Sequence, residues 1–278
     1  MKRKRFGIFI ATVFVFLVFF ASLVFLNIPS VLSGNTATFD VSLTINNSAP
    51  IITYVEAASD SPSEATTKII AIKFNASDVN CVLDIPASNA RISINKSGVM
   101  LNSTACYILS STSIVNAYTC NITVDYYRAS GLWTINASIY DGAAETAIDT
   151  TGTFTMGTTY GISLKTNSLT FSGTPGQTNI AASNAPQIVN NTGNFAFTTM
   201  NITAFDLESG SNVLGSGNFS VNTTDSSDGK ALLNNTPVAV DDASLSVQGT
   251  RDLYIYLDIP QGTNGTYTSP TPWIVSLS

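Results

Sequence analysis

The chain has 278 residues, a formal net charge of −6 and no histidine. Four of its twelve basic residues are Lys2, Arg3, Lys4 and Arg5, so the remaining chain holds eight basic against eighteen acidic residues. An acidic surface argues against nucleic acid or anionic lipid as its partner, and the lack of histidine removes the commonest general base and metal ligand. We therefore expect no catalysis, no cofactor and no bound metal.

The first predicted element is a transmembrane helix over residues 6–26, a run of 21 residues without charge. Its length as a helix matches the ~30 Å hydrocarbon core of a bilayer. The basic residues before it predict a cytoplasmic N-terminus, membrane lipid as the partner of residues 6–26, and an extracellular bulk. Two alternatives stay open: a secretory signal cleaved near residues 31–33, and a pilin-type signal cleaved before the apolar run.

Residues 27–48 are predicted to be a linker that contains one strand, at 39–45. In that strand Phe39, Val41, Leu43 and Ile45 share one face, because side chains alternate along a strand. The segment is interpreted either as a strand of the first domain or as a strand given to a neighbouring domain or subunit.

The first folded domain is predicted over residues 49–156. Asn47-Ser-Ala-Pro50, followed by the apolar run 51–55, resembles the start of bacterial and archaeal Ig-like surface repeats. Residues 125–142 resemble the penultimate hairpin of those repeats, with a glycine turn, an aromatic residue, Thr, an aliphatic residue and a closing turn with Asp and Gly. The resemblance implies an Ig-like β-sandwich.

Within that hairpin, Gly131 permits a tight turn and Trp133 is expected to fill the centre of the sandwich. Tyr127 and Tyr140 lie on the opposite face and are candidate exposed contact residues. The three cysteines are Cys81, Cys106 and Cys120. Cys106 and Cys120 lie on two runs joined by a polar turn, so a hairpin predicts a disulfide between them and leaves Cys81 over.

Residues 157–161 are a predicted hinge, and residues 157–278 are predicted to form a second domain. Pro175-Gly-Gln-Thr178, Asn191-Thr-Gly-Asn194 and Gly265-Thr-Tyr267 occur there in the order found in Ig-like domains related to the ASPM/SPD-2/Hydin type. The resemblance implies a second Ig-like sandwich with a structural or interaction role. Alternation in residues 253–259 and 273–277 predicts two core strands near the end of the chain.

Asn-x-Ser/Thr sequons occur at twelve of the 25 asparagines. Where strands can be assigned, each sequon asparagine falls on the face opposite the apolar residues, as a glycan requires. The predicted glycosylation sites are Asn46, Asn75, Asn95, Asn102, Asn121, Asn136, Asn190, Asn201, Asn218, Asn222, Asn234 and Asn264.

Acidic turns at residues 225–229 and 241–242 offer oxygen ligands, but Asp and Gly in turns need no metal. The sequence thus predicts an all-β protein, with two tandem Ig-like β-sandwich domains after a single N-terminal transmembrane helix. It indicates an N-glycosylated surface protein of archaeal type with a structural or adhesive role, whose partners are other surface proteins or glycans. The alternative is a self-associating pilus or filament subunit that assembles through the N-terminal helix or the strand at 39–45.

Overall fold

The computed structural model describes residues 38–278, which form an all-β structure, as the short alternating runs predict. Three short 3-10 helices, Val82–Asp84, Ala87–Asn89 and Ser216–Asn218, are the only helices in this range. No helix among the described residues has the length and apolar character to cross a membrane. The anchor predicted over residues 6–26 lies outside the described residues. Residues Asn47–Ser278 form one compact unit, which contains two hydrophobic cores.

Nine strands form the sheet around the first core. The strands β1 to β9 are Ile51–Val55, Ala58–Asp60, Thr67–Ser77, Ala90–Lys96, Val99–Ser111, Val115–Asp125, Gly131–Tyr140, Thr146–Asp149 and Thr153–Met156. Their order in the sheet is β1-β3-β6-β5-β4-β7-β9-β2, with β8 paired to β7, and all pairs are antiparallel except β2 with β9.

The sheet curves around its core at strand β5. Its first residues pair with β4 and its later residues pair with β6. Register shifts after Ser103 and Ile108 mark bulges, which bend a strand. As a result, the inward side chains of β3 and β6 belong to the same apolar cluster as those of β4, β7 and β9. In β3 the buried residues are Ile70, Ile72, Phe74 and Ala76, as the alternation predicts.

Two local predictions for this core are confirmed. Trp133 is 1% exposed, and its indole Nε1 donates a hydrogen bond to Ala129 O at 3.0 Å. Cys106 and Cys120 are directly opposite each other in β5 and β6 and form a disulfide. Cys81 is a free, partly exposed thiol that packs against the edge of the core.

Eleven further strands surround the second core. The strands β10 to β20 are Ile162–Leu164, Ile180–Ala181, Gln187–Asn191, Met200–Thr203, Leu207–Ser209, Asn212–Leu214, Phe219–Asn222, Lys230–Ala231, Val238–Val240, Thr250–Leu257 and Ile274–Leu277. They form three antiparallel sheets, with the orders β10-β12-β19-β16-β17 (β11 paired to β19), β18-β13-β20 and β14-β15.

The last two strands of the chain close the second core as predicted. In β19 the side chains of Leu253, Ile255 and Leu257 are buried. Val275 and Leu277 of β20 pack against the same cluster. Trp273, just before β20, meets Phe219 edge to face, with ring centroids 5.0 Å apart.

The predicted hinge at 157–161 is held by hydrogen bonds to one buried side chain. Asn194 Nδ2 donates to Arg128 O and Gly157 O, both at 2.9 Å, and Asn194 Oδ1 accepts from Thr159 N at 2.6 Å. A Cβ atom added at Gly193 would lie 2.1 Å from Thr159 O. The sequence between the two cores is therefore fixed against the Asn-Thr-Gly-Asn turn of the second one.

The strand predicted over residues 39–45 is not formed. Residues 38–50 have no assigned secondary structure, and no strand among the described residues pairs with them. Alternation gives the segment an apolar face, but a strand also needs a neighbour for its backbone groups. The described structure thus has no strand over residues 39–45, and the interpretation of this segment as a donated strand stays open.

Candidate functional site

The sequon asparagines all lie on the surface of the described structure. Asn46, Asn95, Asn102, Asn136, Asn234 and Asn264 are exposed, and Asn75, Asn121, Asn190, Asn201, Asn218 and Asn222 are partly exposed. Within strands the reason is the pleat, because neighbours on either side point inward. Asn136, for example, is exposed between the buried Ile135 and Ala137 of β7. Every sequon side chain can therefore be approached from solvent.

Within residues 38–278 three asparagines are buried, and none of them is the acceptor asparagine of a sequon. They are Asn116, Asn191 and Asn194, which are 1%, 2% and 5% exposed. Their amides satisfy backbone carbonyls: Asn116 Nδ2 donates to Val82 O at 3.2 Å, and Asn191 Nδ2 donates to Phe195 O at 2.7 Å. Asparagine thus occupies two kinds of position in the described residues: buried positions where its amide bonds backbone carbonyls, and surface positions in sequons.

A second surface feature is the apolar strip, which we define as Phe39, Val41, Leu43 and Ile45. These side chains are 85%, 80%, 81% and 79% exposed. Four large apolar residues at alternate positions would share one face of a strand, and exposing such a face to water is unfavourable. The strip therefore leaves a row of apolar side chains open to solvent.

The two tyrosines proposed as contact residues differ in their surroundings. Tyr140 is 39% exposed at the end of β7. Tyr127 is only partly exposed, and the guanidinium of Arg128 lies 5.0 Å from its ring centroid. A hydrogen bond with Asp125 raises the pKa of Tyr127. Tyr140 is thus the freer of the two to contact a partner.

The acidic turns considered from the sequence are occupied by other contacts. Tyr256 donates a hydrogen bond to Asp225, and Lys230 Nζ lies 2.6 Å from Asp241 Oδ1. Within residues 38–278 neither turn contributes to a group of three carboxylates close enough to hold one ion. One carboxylate of each turn is thus engaged by another side chain.

An acidic cluster lies instead at one end of the first core. One carboxylate oxygen from each of Asp78, Asp84 and Asp141 lies within 4.8 Å of the others. Asp78 and Asp141 are each 1% exposed, whereas Asp84 is partly exposed. The four salt bridges found within residues 38–278 involve other carboxylates, so none of the three is paired with a basic side chain there.

Three chain segments bring these carboxylates together. Asp78 directly follows β3 and continues its inward face. Asp84 ends the 3-10 helix Val82–Asp84, and Asp141 directly follows β7. The acidic cluster is therefore made by the connection between β3 and β4 and by the turn between β7 and β8.

Hydrogen bonds orient each carboxylate of the cluster. Asp78 Oδ1 accepts from Asn80 N at 2.7 Å, and Asp84 Oδ1 accepts from Gly142 N at 3.0 Å. Asp78 Oδ2 is buried and has no hydrogen-bond partner among the described residues. One oxygen of Asp78 is thus fixed by the backbone, while the other is left without a partner.

Asp141 receives the largest number of hydrogen bonds in the cluster. Its burial by itself would raise its pKa, because burial disfavours the charged form. Donors outweigh that effect: Asn47 Nδ2 at 2.7 Å, and the backbone nitrogens of Glu145 at 2.8 Å and Ala143 at 2.9 Å. The pKa of Asp141 is therefore held below its usual range, and the carboxylate is ionised at neutral pH.

The sequence pattern of β3 indicates that Asp78 is buried, although Asp78 was not among the predicted site residues. The alternation of Ile70, Ile72, Phe74 and Ala76 places Asp78 at the next inward position, where an acidic residue is unusual. No local pattern links it to Asp141, which is 63 positions further on. Spacing along the chain therefore does not reveal the acidic cluster.

Comparisons with known proteins give no family for this chain. No protein-family model and no curated protein matches it. A chain from a structure of a chaperone–tip adhesin complex of CFA/I fimbriae biogenesis is 13% identical, with a TM-score of 0.31, over 79% of this chain and 78% of its own length. The secreted serine protease VesC from Vibrio cholerae is also 13% identical, with a TM-score of 0.16, over 79% of this chain and 49% of its own. Likenesses this weak define neither a fold family nor a function.

Proposed function

We propose that the protein is a membrane-anchored, N-glycosylated surface protein with a structural or adhesive role outside the cell and without catalysis. In this proposal residues 6–26 anchor it in the membrane as a single-pass helix with a cytoplasmic N-terminus. Residues 49–156 and 157–278 are two tandem Ig-like β-sandwich domains of archaeal surface-protein type. Other surface proteins or glycans are its expected partners.

The observation that carries the proposal is the separation of the two kinds of asparagine. All twelve acceptor asparagines of the sequons are exposed or partly exposed, while none of the three buried asparagines in residues 38–278 is an acceptor. A glycan attached to Asn116, Asn191 or Asn194 would have to enter a core, whereas one attached to any sequon side chain would extend into solvent. The distribution supports a chain that can carry many glycans without disturbing its fold.

Charge and covalent chemistry support the same location. The basic residues lie in front of residues 6–26, as expected for the cytoplasmic side, and the remainder of the chain is acidic. The Cys106–Cys120 disulfide suits an oxidising compartment such as the cell exterior. These two features do not depend on the sequons.

Protease treatment of intact cells tests this location. We expect external protease to release peptides from residues 49–278, while residues 1–26 stay with the membrane fraction. Sequencing the N-terminus of the membrane-bound protein in the same preparation distinguishes a retained anchor from a cleaved signal. Complete resistance of residues 49–278 until the cells are lysed would contradict the proposal.

A second candidate function rests on the apolar strip. Its four side chains are at least 79% exposed and have the alternation of a strand without a strand partner in the described structure. Adding an extended segment to the sheet edge of another molecule would satisfy its backbone groups and cover its apolar face. This candidate is a subunit that assembles into a pilus or filament through residues 39–45.

Paired substitutions on the two faces of the segment test this assembly. Val41→Asp with Leu43→Asp places charges on the apolar strip, and Ser42→Asp with Thr44→Asp places the same charges on the other face. We expect the first pair to abolish oligomers of the full chain in light scattering and the second pair to leave them in place. Equal behaviour of the two variants would exclude pairing through the strip.

A further inference from the structure

We propose that Asp78, Asp84 and Asp141 form a binding site for a calcium ion. The central observation is the carboxylate of Asp78, which is 1% exposed and has one oxygen without a hydrogen-bond partner. A buried carboxylate is unfavourable unless a cation or several donors compensate its charge. Within residues 38–278 no lysine or arginine supplies that charge.

The geometry suits one ion shared by three carboxylates. The candidate ligand oxygens lie within 4.8 Å of one another. Oxygens bound to a single Ca²⁺ at ~2.3–2.6 Å are at most about 5 Å apart, so the three can reach one ion without a large rearrangement. Three carboxylates held this close repel each other, and a divalent cation between them turns that repulsion into attraction.

The donor set selects the class of metal. All three ligands are carboxylate oxygens, which hard cations prefer, and the cluster contains neither histidine nor thiolate. Mg²⁺ requires nearly ideal octahedral geometry at ~2.0–2.1 Å, whereas Ca²⁺ accepts irregular sites with six to eight oxygens. Carboxylates from two separate loops form an irregular site, which favours calcium.

The surrounding structure holds the ligands in place before the ion arrives. Backbone nitrogens of Asn80, Gly142 and Glu145 each donate to one carboxylate of the cluster, at 2.7, 3.0 and 2.8 Å. Such bonds fix the orientation of metal ligands while leaving other lone pairs of the carboxylates for the ion. The three carboxylates therefore need little rearrangement to bind an ion.

Asn116 offers a neutral amide oxygen on the strand beside Asp78. It lies on the inward face of β6, directly opposite Ala76, and so occupies a position diagonal to Asp78. Its Oδ1 is the second buried oxygen near this end of the sheet without a hydrogen-bond partner in the described structure, since Nδ2 makes the contacts of that amide. Side-chain amide oxygens are normal Ca²⁺ ligands.

A bound ion would join two loops that the strands leave separate. Asp78 and Asp84 belong to the long connection between β3 and β4, and Asp141 begins the turn between β7 and β8. Calcium would fasten that connection to the turn at one end of the first core. The effect would be largest outside cells, where calcium-binding modules work with dissociation constants of ~10⁻⁴–10⁻³ M.

Thermal unfolding and calorimetric titration of the full chain, stripped with a chelator, test the site. We expect millimolar CaCl₂ to raise the unfolding temperature, MgCl₂ to raise it less, and the titration to show one binding site. Asp78→Asn and Asp84→Asn should each weaken calcium binding by about tenfold or more. Asp84 is partly exposed, so its variant keeps the test usable if Asp78→Asn does not fold.

The matched control is Asp225→Asn, which removes an acidic group from a turn in the second half of the chain. It should keep the full calcium response. With chelator present, Asp78→Asn should be at least as stable as the native chain, because it removes a buried charge; with calcium present the order should reverse. An unchanged unfolding temperature and no heat of binding in the native chain, or an equal loss of response in the Asp225→Asn control, would overturn the proposal.

Discussion

Single buried polar residues hold the connections of this β-protein in place. Asn194 joins the turn after β6, the sequence between the two cores and the second core through three hydrogen bonds. The Asn191-Thr-Gly-Asn194 sequence predicted a turn, and the structure shows why Asn191, Gly193 and Asn194 are needed in it. The two asparagines pair with backbone groups, and Gly193 allows Thr159 to approach.

Replacing Asn194 with Ala should lower the free energy of unfolding by about 1–3 kcal/mol. The substitution leaves two partly buried carbonyls and one partly buried amide without a partner, and unpaired polar groups shielded from water are unfavourable by that amount. Urea unfolding measures the change, with Asn212→Ala, at an exposed position, as the control. Equal stability of the two variants would show that water replaces the lost bonds.

The phenol of Tyr256 provides a prediction about pH. Its hydrogen bond to Asp225 raises the pKa of Tyr256 to about 12, because a phenolate would lie beside a carboxylate. An unfolded tyrosine ionises near pH 10. The stabilisation from this contact is therefore fully present below pH ~10 and is lost as the pH rises towards about 12.

Absorbance titration of tyrosinate, taken as the difference between the native chain and Tyr256→Phe, measures this pKa. We expect one transition at about pH 12 in the difference curve. In the Asp225→Asn background the transition should move down towards the usual ~10. A native midpoint already near that usual value would show that the hydrogen bond does not form in solution.

Strands whose apolar and polar residues alternate were predictable from the sequence. Features that depend on a partner far away in the sequence were not. The inward faces of β3, β6, β7 and β19 follow the predicted pattern because burial enforces a period of two. Residues 39–45 have the same period and form no strand, since nothing in a local sequence specifies a neighbouring edge. The acidic cluster escaped prediction for a similar reason, because two loops that are far apart in the sequence build it.

The disulfide across the β5–β6 hairpin should stabilise the folded chain. Replacing both Cys106 and Cys120 with Ser should lower the free energy of unfolding by about 3 kcal/mol, since the cross-link closes a short loop in the unfolded chain. Denaturant unfolding with and without reductant measures the loss, and the double variant should no longer respond to reductant. Cys81→Ser is the control and should keep the response.

At the scale of the whole molecule, two apolar cores lie within one compact unit. The last buried residue of the first core is Met156, and the second core begins with residues that pack from Ile162 onward. Composition could predict an all-β chain and its exposed sequons, but it could not predict that Asn194 would fix the sequence between the cores.

Glycopeptide mass spectrometry of the protein purified from its native cells tests the proposed surface role most directly. We expect glycans at several of the twelve sequon asparagines, including positions within strands such as Asn136, and none at Asn116, Asn191 or Asn194. Asparagine without any attached sugar at all twelve sequons would contradict the proposal that this is an N-glycosylated surface protein.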